Sequence, residues 1–402
     1  MKAFAKILSI LLALLTVLSL CSCAKKEEEK VSNEWVGMSG ASEGAISDTG
    51  YYYLNQGLLY FVDFQNGVNV CLCNKAGCAH EGSGCEAEIP LNLGVLSTMF
   101  YWNEGIYFTG LDDYGCNLYR RNADGTGQSK VATLCEKYMK EDPEIKVDAV
   151  FFTVAGNYVY YHAEIQVVVR VENVNTAQTK LRALLRLDLR TGKEEVVVEC
   201  EEENKRIEPI AFCNDGAIYT IASYPDVEYG AENYDELLLQ CPVQILQWSA
   251  ETGESKVMVE KTIKEIGYSG IFYQEGKYYC TPDNNMYSID LETGKLTQVA
   301  ENGSMLALNA DYGFWYDNET GKRQLKNLNT GEVLPNEFEE EYFLNFKCFS
   351  DDMLILTYQD AKASGTVDVF YAFVKPESLA DGLQKDDVTE FYVRQVGVHD
   401  IG

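Results

Sequence analysis

Four residues that can bind a metal or react as thiols lie within 13 positions: Cys73, Cys78, His80 and Cys85. Their spacing is C-x4-C-x-H-x4-C, in a segment that also contains several glycines. Three thiols and one imidazole are enough to close a tetrahedral Zn²⁺ site, and they leave no open position for a catalytic water. One interpretation is therefore a structural zinc site, although the spacing is not that of a zinc finger, ribbon or knuckle.

A disulfide is the other main interpretation of the same segment, and free thiols are the third. An exported chain meets an oxidising environment, and a loop rich in Gly and Cys is often oxidised there. Cys85 would then pair with one of the other two cysteines, and His80 would have no role. Without Cys21 and Cys23 the chain keeps 11 of its 13 cysteines, so at least one is free, bound to metal or linked to another chain.

No other pattern marks a catalytic centre. The chain has three histidines, His80, His162 and His399, and no G-x-S-x-G, H-E-x-x-H or P-loop motif. A glycosidase or lyase that uses paired carboxylates is the alternative, because 62 acidic residues offer many pairs and no spacing selects one. We therefore expect a non-catalytic protein.

The first 22 residues have the features of a bacterial lipoprotein signal peptide. Lys2 and Lys6 precede an apolar stretch, residues 7–20, that is short for a membrane span. The following LCSC sequence resembles a lipobox, which implies that Cys23 becomes the lipidated first residue and that 23–33 form a charged tether. A plain secretory signal or an uncleaved anchor is the alternative. We expect an exported protein, held by lipid on the outer face of the cytoplasmic membrane.

The charge of the chain argues against nucleic acid as a partner. Its net charge is −29, and removal of Lys2 and Lys6 with the signal peptide makes it −31. Such a surface repels nucleic acid and anionic lipid. The expected partners are therefore a glycan, a peptide or another envelope protein, with the membrane reached through the lipid anchor.

Residues 276–299, GKYYCTPDNNMYSIDLETGKLTQV, are the clearest copy of a unit that builds nearly the whole chain. The copy contains three short strands, and Gly294 lies in a tight turn between two of them. An additional apolar strand precedes several copies, which gives four strands per unit. This pattern predicts an all-β fold, a β-propeller of four-stranded antiparallel blades in one domain, 34–402. We expect seven blades, with six or eight as alternatives, and a terminal segment that completes the first blade and closes the ring.

Three long connections should share one face of this propeller, because successive strands of an antiparallel blade reverse direction. They are 73–85, 162–183 and 223–243. Long loops on a rigid scaffold are the usual place for function. The candidate ligand residues on this face are His162, Tyr224, Asp226, Tyr229, Tyr234 and Asp235. The alternatives are an ordinary acidic surface loop at 223–243 and a simple hairpin extension at 162–183.

The strand repeat resembles propellers of the TolB, NHL and YWTD type. The combination of LCSC, tyrosine-rich blades and the cysteine segment is similar to a group of lipid-anchored β-propeller lipoproteins from Gram-positive anaerobes. The resemblance implies a lipoprotein of the cell envelope and implies no particular activity. We expect a binding module. The alternatives are a propeller enzyme that acts on polysaccharide and an envelope assembly or scaffold factor.

Overall fold

The computed structural model describes residues 32–37, 44–81, 84–89, 98–112, 115–142, 145–171, 174–226, 230–309, 311–317, 319, 321–338, 344–349, 352–361 and 366–397. These residues form seven small antiparallel sheets in a ring, which is a seven-bladed β-propeller. The predicted all-β class, blade architecture and blade count are confirmed.

Each blade has four strands in chain order, and blade 4 has a fifth, β1 (Val36–Gly37), at its inner edge. Blades 1–3 contain β2–β5 (Gly44–Ile46, Gly50–Asn55, Leu58–Asp63, Asn69–Cys71), β6–β9 (Met99–Trp102, Gly105–Asp112, Gly115–Asn122, Ser129–Thr133) and β10–β13 (Ile145–Ala155, Tyr158–Val171, Val174–Asp188, Glu194–Cys200). Blades 4 and 5 contain β14–β17 (Lys205–Cys213, Gly216–Ser223, Pro242–Ser249, Ser255–Thr262) and β18–β21 (Ile271–Gln274, Lys277–Cys280, Met286–Ile289, Leu296–Ala300). Blades 6 and 7 contain β22–β25 (Gly303–Ala307, Tyr312–Asp317, Arg323–Asn327, Val333–Leu334) and β26–β29 (Asn345–Phe349, Leu354–Ala361, Thr366–Val374, Thr389–Gly397).

The turn between the third and fourth strand has the same hydrogen bonds in several blades. In blade 5, Asp290 Oδ1 accepts from the backbone N–H groups of Glu292 and Thr293, at 2.9 and 2.8 Å. The N–H of Gly294, at φ +69°, donates to the carbonyl of Asp290 at 2.8 Å. Glycine adopts this left-handed conformation at little cost. The D-x-x-x-G sequence therefore specifies the turn locally, which is why the repeat is visible in the sequence.

Helices are few and short among the described residues. They are α1 (Glu136–Glu141), α2 (Tyr234–Leu239) and α3 (Ile263–Ile266), with 3-10 turns at Pro282–Asn284, Pro376–Asp381 and Lys385–Asp387. None of the helices in the described part of the chain has the length and apolar character that crossing a membrane requires.

The missing strand of blade 1 comes from the N-terminal part of the chain: β2 pairs antiparallel with β3 and completes the four-stranded sheet. Side chains join blades 1 and 7: Asn69 Nδ2 donates to the carbonyl of Phe391 at 2.9 Å, and Tyr392 Oη donates to Asn55 Oδ1 at 2.9 Å. The ring of Tyr53 packs against both Phe391 and Tyr392. The sequence pattern showed only three strands in this blade because β2 has three residues, one of them glycine, and lacks an apolar run.

Residues 36–37 lie inside the ring. Strand β1 pairs antiparallel with β14, the innermost regular strand of blade 4, with Val36 opposite Phe212 and Gly37 opposite Ala211. A strand at this edge lies in the central channel. Nothing in the sequence of residues 32–37 predicts this position.

Candidate functional site

The cysteine and histidine segment brings its four candidate ligands together. One ligand atom from each of Cys73, Cys78, His80 and Cys85 lies within 4.8 Å of all the others, and Cys85 Sγ is 3.7 Å from His80 Nδ1. In a tetrahedron with Zn–S bonds of about 2.3 Å the sulfur atoms are roughly 3.8 Å apart. The four side chains could therefore hold a metal ion after small movements. The thiols of all three cysteines are free in this structure.

Backbone hydrogen bonds shape this loop where it leaves β5. The N–H of Cys78 donates to the carbonyl of Lys75 at 3.2 Å, in a turn that contains Gly77 at φ +72°. Lys75 Nζ donates to the carbonyl of Gly84 at 3.0 Å and so ties the two ends of the loop together. His80 has a positive φ of +55°, which is uncommon for a residue with a side chain. The loop holds its ligands through local turns rather than through regular secondary structure.

The same backbone favours a thiolate at Cys73. Burial raises the pKa of Cys73, but the backbone N–H groups of Lys75 and Glu86 outweigh it and lower the pKa to about 6. Burial, with the neighbouring thiols of Cys73 and Cys78, raises the pKa of Cys85 to about 12. Hydrogen bonds from N–H groups to sulfur stabilise its negative charge. Metal ligation needs that charge, because the thiolate is the form that binds.

We expect the metal-free protein to be alkylated at Cys73 in mildly acidic solution. The rate of iodoacetamide modification should be half-maximal near pH 6, because the thiolate is the reactive form. Peptide mass spectrometry after short reactions across a pH series measures this rate. Cys71 is an internal control, since burial raises the pKa of its thiol. Equal pH dependence at the two thiols would contradict the prediction.

The chain after Cys85 closes against two blades. The carbonyl of Ala87 accepts from the N–H of Leu59, and the N–H of Ile89 donates to the carbonyl of Gly57, both at 2.9 Å in blade 1. Arg121 of blade 2 is only 5% exposed and donates to the carbonyl oxygens of Glu86, at 2.9 Å, and Glu88. The loop therefore connects blades 1 and 2 through hydrogen bonds to both.

The partners of Arg121 explain why sequence reasoning missed it. Besides the two loop carbonyls, its guanidinium donates to Gln128 Oε1 at 2.9 and 2.7 Å. Burial lowers the pKa of Arg121, yet the group keeps hydrogen-bond partners that compensate for lost water. Main-chain oxygens carry no residue signature, so no sequence pattern connects Arg121 to the cysteine loop.

A second candidate site is a cavity of about 1270 Å³ in the central channel. Strands of blade 4, the connection from blade 4 to blade 5, and the inner strands of blades 5, 6 and 7 line it, together with residues 34–37. Its aromatic lining includes Tyr224, Tyr268, Phe272 and Tyr273. Tyr268 is 66% exposed, which is unusual for so large an apolar side chain in a folded domain.

Carboxylates dominate the charged groups of this cavity. Glu34, Glu208 and Glu275 line it, against the single cation Lys347. The side chain of Glu208 reaches the cavity space, but surrounding protein raises the pKa of its carboxyl group by desolvation, and Arg182 opposes that rise. The cavity therefore combines aromatic surface with negative charge.

The predicted ligand residues are placed as follows. Tyr224 lines the cavity, and Asp226 and Asp235 are exposed at the connection between β15 and β16. Tyr234 begins α2 and packs against the core between blades 4 and 5. Tyr229 lies outside the described residues, as do Cys23 and His399. Among the described candidates Tyr224 lines the cavity, which also contains Tyr268, Glu208 and Glu275. The sequence pattern did not mark these three residues, because they lie in blade 4, in blade 5 and in the connection between them.

His162 is buried within β11 of blade 3 and is not exposed at the long-loop face. It is 7% exposed, and its Nε2 atom has no hydrogen-bond partner. Nearby, Arg182 Nε donates to Glu164 Oε1 at 3.0 Å. Burial lowers the pKa of His162, while Glu164 raises it and Arg182 lowers it further. The imidazole is therefore held neutral in the folded protein.

This burial predicts a pH-dependent stability. The pKa of His162 in the folded state lies below its ordinary value of 6.5, so the unfolded chain binds the proton first as the pH falls. The contribution of neutral His162 is complete above pH 6.5 and is lost as the pH drops below that value. Denaturant unfolding between pH 8 and 5 should show a smaller loss of the free energy of unfolding for His162→Phe than for the unmodified protein. Equal losses in the two proteins would contradict this role of His162.

No protein-family model matches the chain, and no curated protein matches it in sequence. Among solved structures, a puromycin-hydrolysing peptidase of Mycobacterium tuberculosis aligns with a TM-score of 0.52 at 10% identity, over 91% of this chain and 56% of the peptidase. An oligogalacturonate lyase of Vibrio parahaemolyticus aligns with a TM-score of 0.45 at 15% identity, over 74% of this chain and 76% of the lyase. TolB of Acinetobacter baumannii aligns with a TM-score of 0.36 at 13% identity, over 85% of this chain and 76% of TolB. At 10% identity the peptidase alignment shows a shared fold and nothing about activity, and the two alignments with TM-scores below 0.5 show nothing further.

Proposed function

We propose that this protein is a lipid-anchored, non-catalytic β-propeller of the cell envelope that binds its ligand in the channel cavity. The observation that carries the proposal is the cavity itself, about 1270 Å³, which is lined by residues of four blades that include aromatic rings and carboxylates. Ligand sites are typically concave, mostly apolar and supplied with a few polar groups. The lipobox-like sequence ending at Cys23 supports the anchor.

The lining favours a basic peptide among the expected ligands. Exposed aromatic rings such as Tyr268 offer flat surface to apolar groups and, through their π faces, to cations. Glu34, Glu208 and Glu275 favour a positively charged ligand over a neutral or anionic one. A neutral glycan would stack on the rings and donate hydroxyl hydrogen bonds to the carboxylates, but it would leave their negative charge unpaired. A peptide segment that carries Lys or Arg uses both.

Thermal unfolding of the mature protein with Lys- and Arg-containing peptides tests this proposal. A ligand that binds the folded state raises the midpoint in proportion to the logarithm of its concentration over its dissociation constant. Glu208→Gln and Tyr268→Ala should abolish the rise. Glu292→Gln, in an exposed turn outside the cavity, and Tyr316→Ala, at an exposed position of β23 that does not line the cavity, should leave the rise intact. A rise with neutral glycans alone would replace the peptide by a glycan, and no rise with any ligand would favour the scaffold alternative.

The enzyme alternative is tested with the same variants. A carboxylate-based glycosidase or lyase would need two acids that face one substrate, and the cavity carboxylates are the candidates. Turnover of a polysaccharide that disappears in Glu208→Gln and persists in Glu292→Gln would overturn the non-catalytic proposal.

Zn²⁺ is the metal we propose for Cys73, Cys78, His80 and Cys85, in a structural role. Three sulfur donors and one nitrogen donor within 4.8 Å match the tetrahedral preference of zinc, and the backbone N–H groups at Cys73 supply the stabilisation that a thiolate needs. Elemental analysis should find one zinc per chain, and Cys78→Ser should lose it. A disulfide among these cysteines in the purified protein, with no zinc, would favour the disulfide interpretation instead.

A further inference from the structure

We propose that the N-terminal segment orients the propeller on the membrane, with the long loops turned away from it. The proposal rests on the lipid anchor at Cys23 proposed above. The short-turn face is defined here as the face with the connections between first and second strands and between third and fourth strands. The long-loop face carries the cysteine loop, the β11–β12 hairpin and the connection from β15 to β16.

The direction of β1 identifies the face at which the chain enters the channel. Strand β14 runs from the long-loop face towards the turn at 214–215 on the short-turn face. Since β1 is antiparallel to β14, it begins near that turn, with Val36 opposite Phe212. Asn33 Oδ1 accepts a hydrogen bond from the N–H of Asp215, in the same turn, at 3.2 Å. Residue 33 therefore lies at the short-turn face, and the chain passes from there into the channel.

The channel holds this segment on two sides. Strand β14 pairs with β1 on one side, and on the other the carbonyl oxygen of Tyr273 would lie 2.5 Å from any Cβ atom at Gly37. Only glycine fits at such a distance. Trp35 packs against the core between blades 4 and 5. The segment cannot cross to the other face without giving up these contacts.

The tether sets how far the short-turn face can stand from the bilayer. Residues 24–33 are ten residues, and a fully extended chain spans at most about 3.6 Å per residue, or roughly 36 Å in all. The short-turn face therefore stays within about that distance of the lipid. The cavity lining includes the connection 267–270, which joins blade 4 to blade 5 on the long-loop face, and also Glu34 and Glu275, which lie towards the short-turn face. The 267–270 end of the cavity is therefore turned away from the membrane.

Energy transfer to labelled lipids tests this orientation on the lipidated protein in vesicles. A genetically encoded fluorescent amino acid replaces Glu292, on the short-turn face, or Asp235, on the long-loop face. Transfer to an acceptor on the lipid headgroups should be several-fold higher from position 292 than from position 235. Equal transfer, or higher transfer from 235, would overturn the orientation.

Two controls separate this proposal from the anchor on which it rests. Flotation of the vesicles shows whether the protein is attached, so a protein that floats but shows no difference in transfer refutes only the orientation. A protein that fails to float refutes the anchor and the orientation together. Gly37→Val should displace β1 and remove the difference, whereas Ser32→Val, at an exposed position before β1, should keep it.

Discussion

Removal of zinc by a chelator is expected to lower the thermal midpoint of the mature protein by several degrees. A metal that binds only the folded state stabilises it by about 4 kcal/mol at a thousand times its dissociation constant. Without the ion, Cys73, Cys78, His80 and Cys85 have no common partner, and the loop loses the contacts that hold these side chains together. Proteolysis within 73–89 should accelerate, as measured by peptide mapping over time.

Matched cysteine variants show whether this response comes from the cluster. Cys85→Ser should have a lowered midpoint and no further response to chelator. Cys241→Ser changes a buried cysteine of blade 4, outside the cluster, so it should keep the full response. A fall in the midpoint with reductant alone, and none with chelator, would contradict the metal site and indicate a disulfide.

Arg121→Met is expected to destabilise the protein by on the order of 3 kcal/mol, because a hydrogen bond that involves a charged group contributes about 1.5–3 kcal/mol. The substitution keeps much of the apolar volume and leaves the carbonyls of Glu86 and Glu88, and Gln128 Oε1, without their donor. Denaturant unfolding measures the loss. Zinc should also leave the variant faster, since Glu86 belongs to the loop that follows Cys85.

Lys193→Met is the control for the loss of a positive charge. The Lys193 side chain is 74% exposed, and its ion pair with Glu195 spans 3.2 Å at the surface. Exposed pairs contribute roughly 0–1 kcal/mol. If Arg121→Met destabilised the protein no more than Lys193→Met, the loop would not depend on the buried guanidinium.

The sequence by itself determined the blades, because their patterns are local. Strand alternation and the D-x-x-x-G turn at Asp290–Gly294 depend on hydrogen bonds between neighbours in the chain, so each copy is visible wherever it occurs. The four residues from Cys73 to Cys85 were recognisable for the same reason, since 13 positions contain the whole cluster. The sequence did not distinguish a metal site from a disulfide, because that choice depends on which side chains meet in the folded chain.

The tertiary structure alone decided how these parts combine. Strand β1 occupies the open inner edge of blade 4, about 170 positions away in the chain, and an edge that any short strand could pair leaves no mark in the sequence of the strand. The cavity draws its lining from blades 4 to 7, and Arg121 binds main-chain carbonyls that every residue possesses. Contacts of this kind arise from closure of the ring, which brings together residues that no local pattern relates.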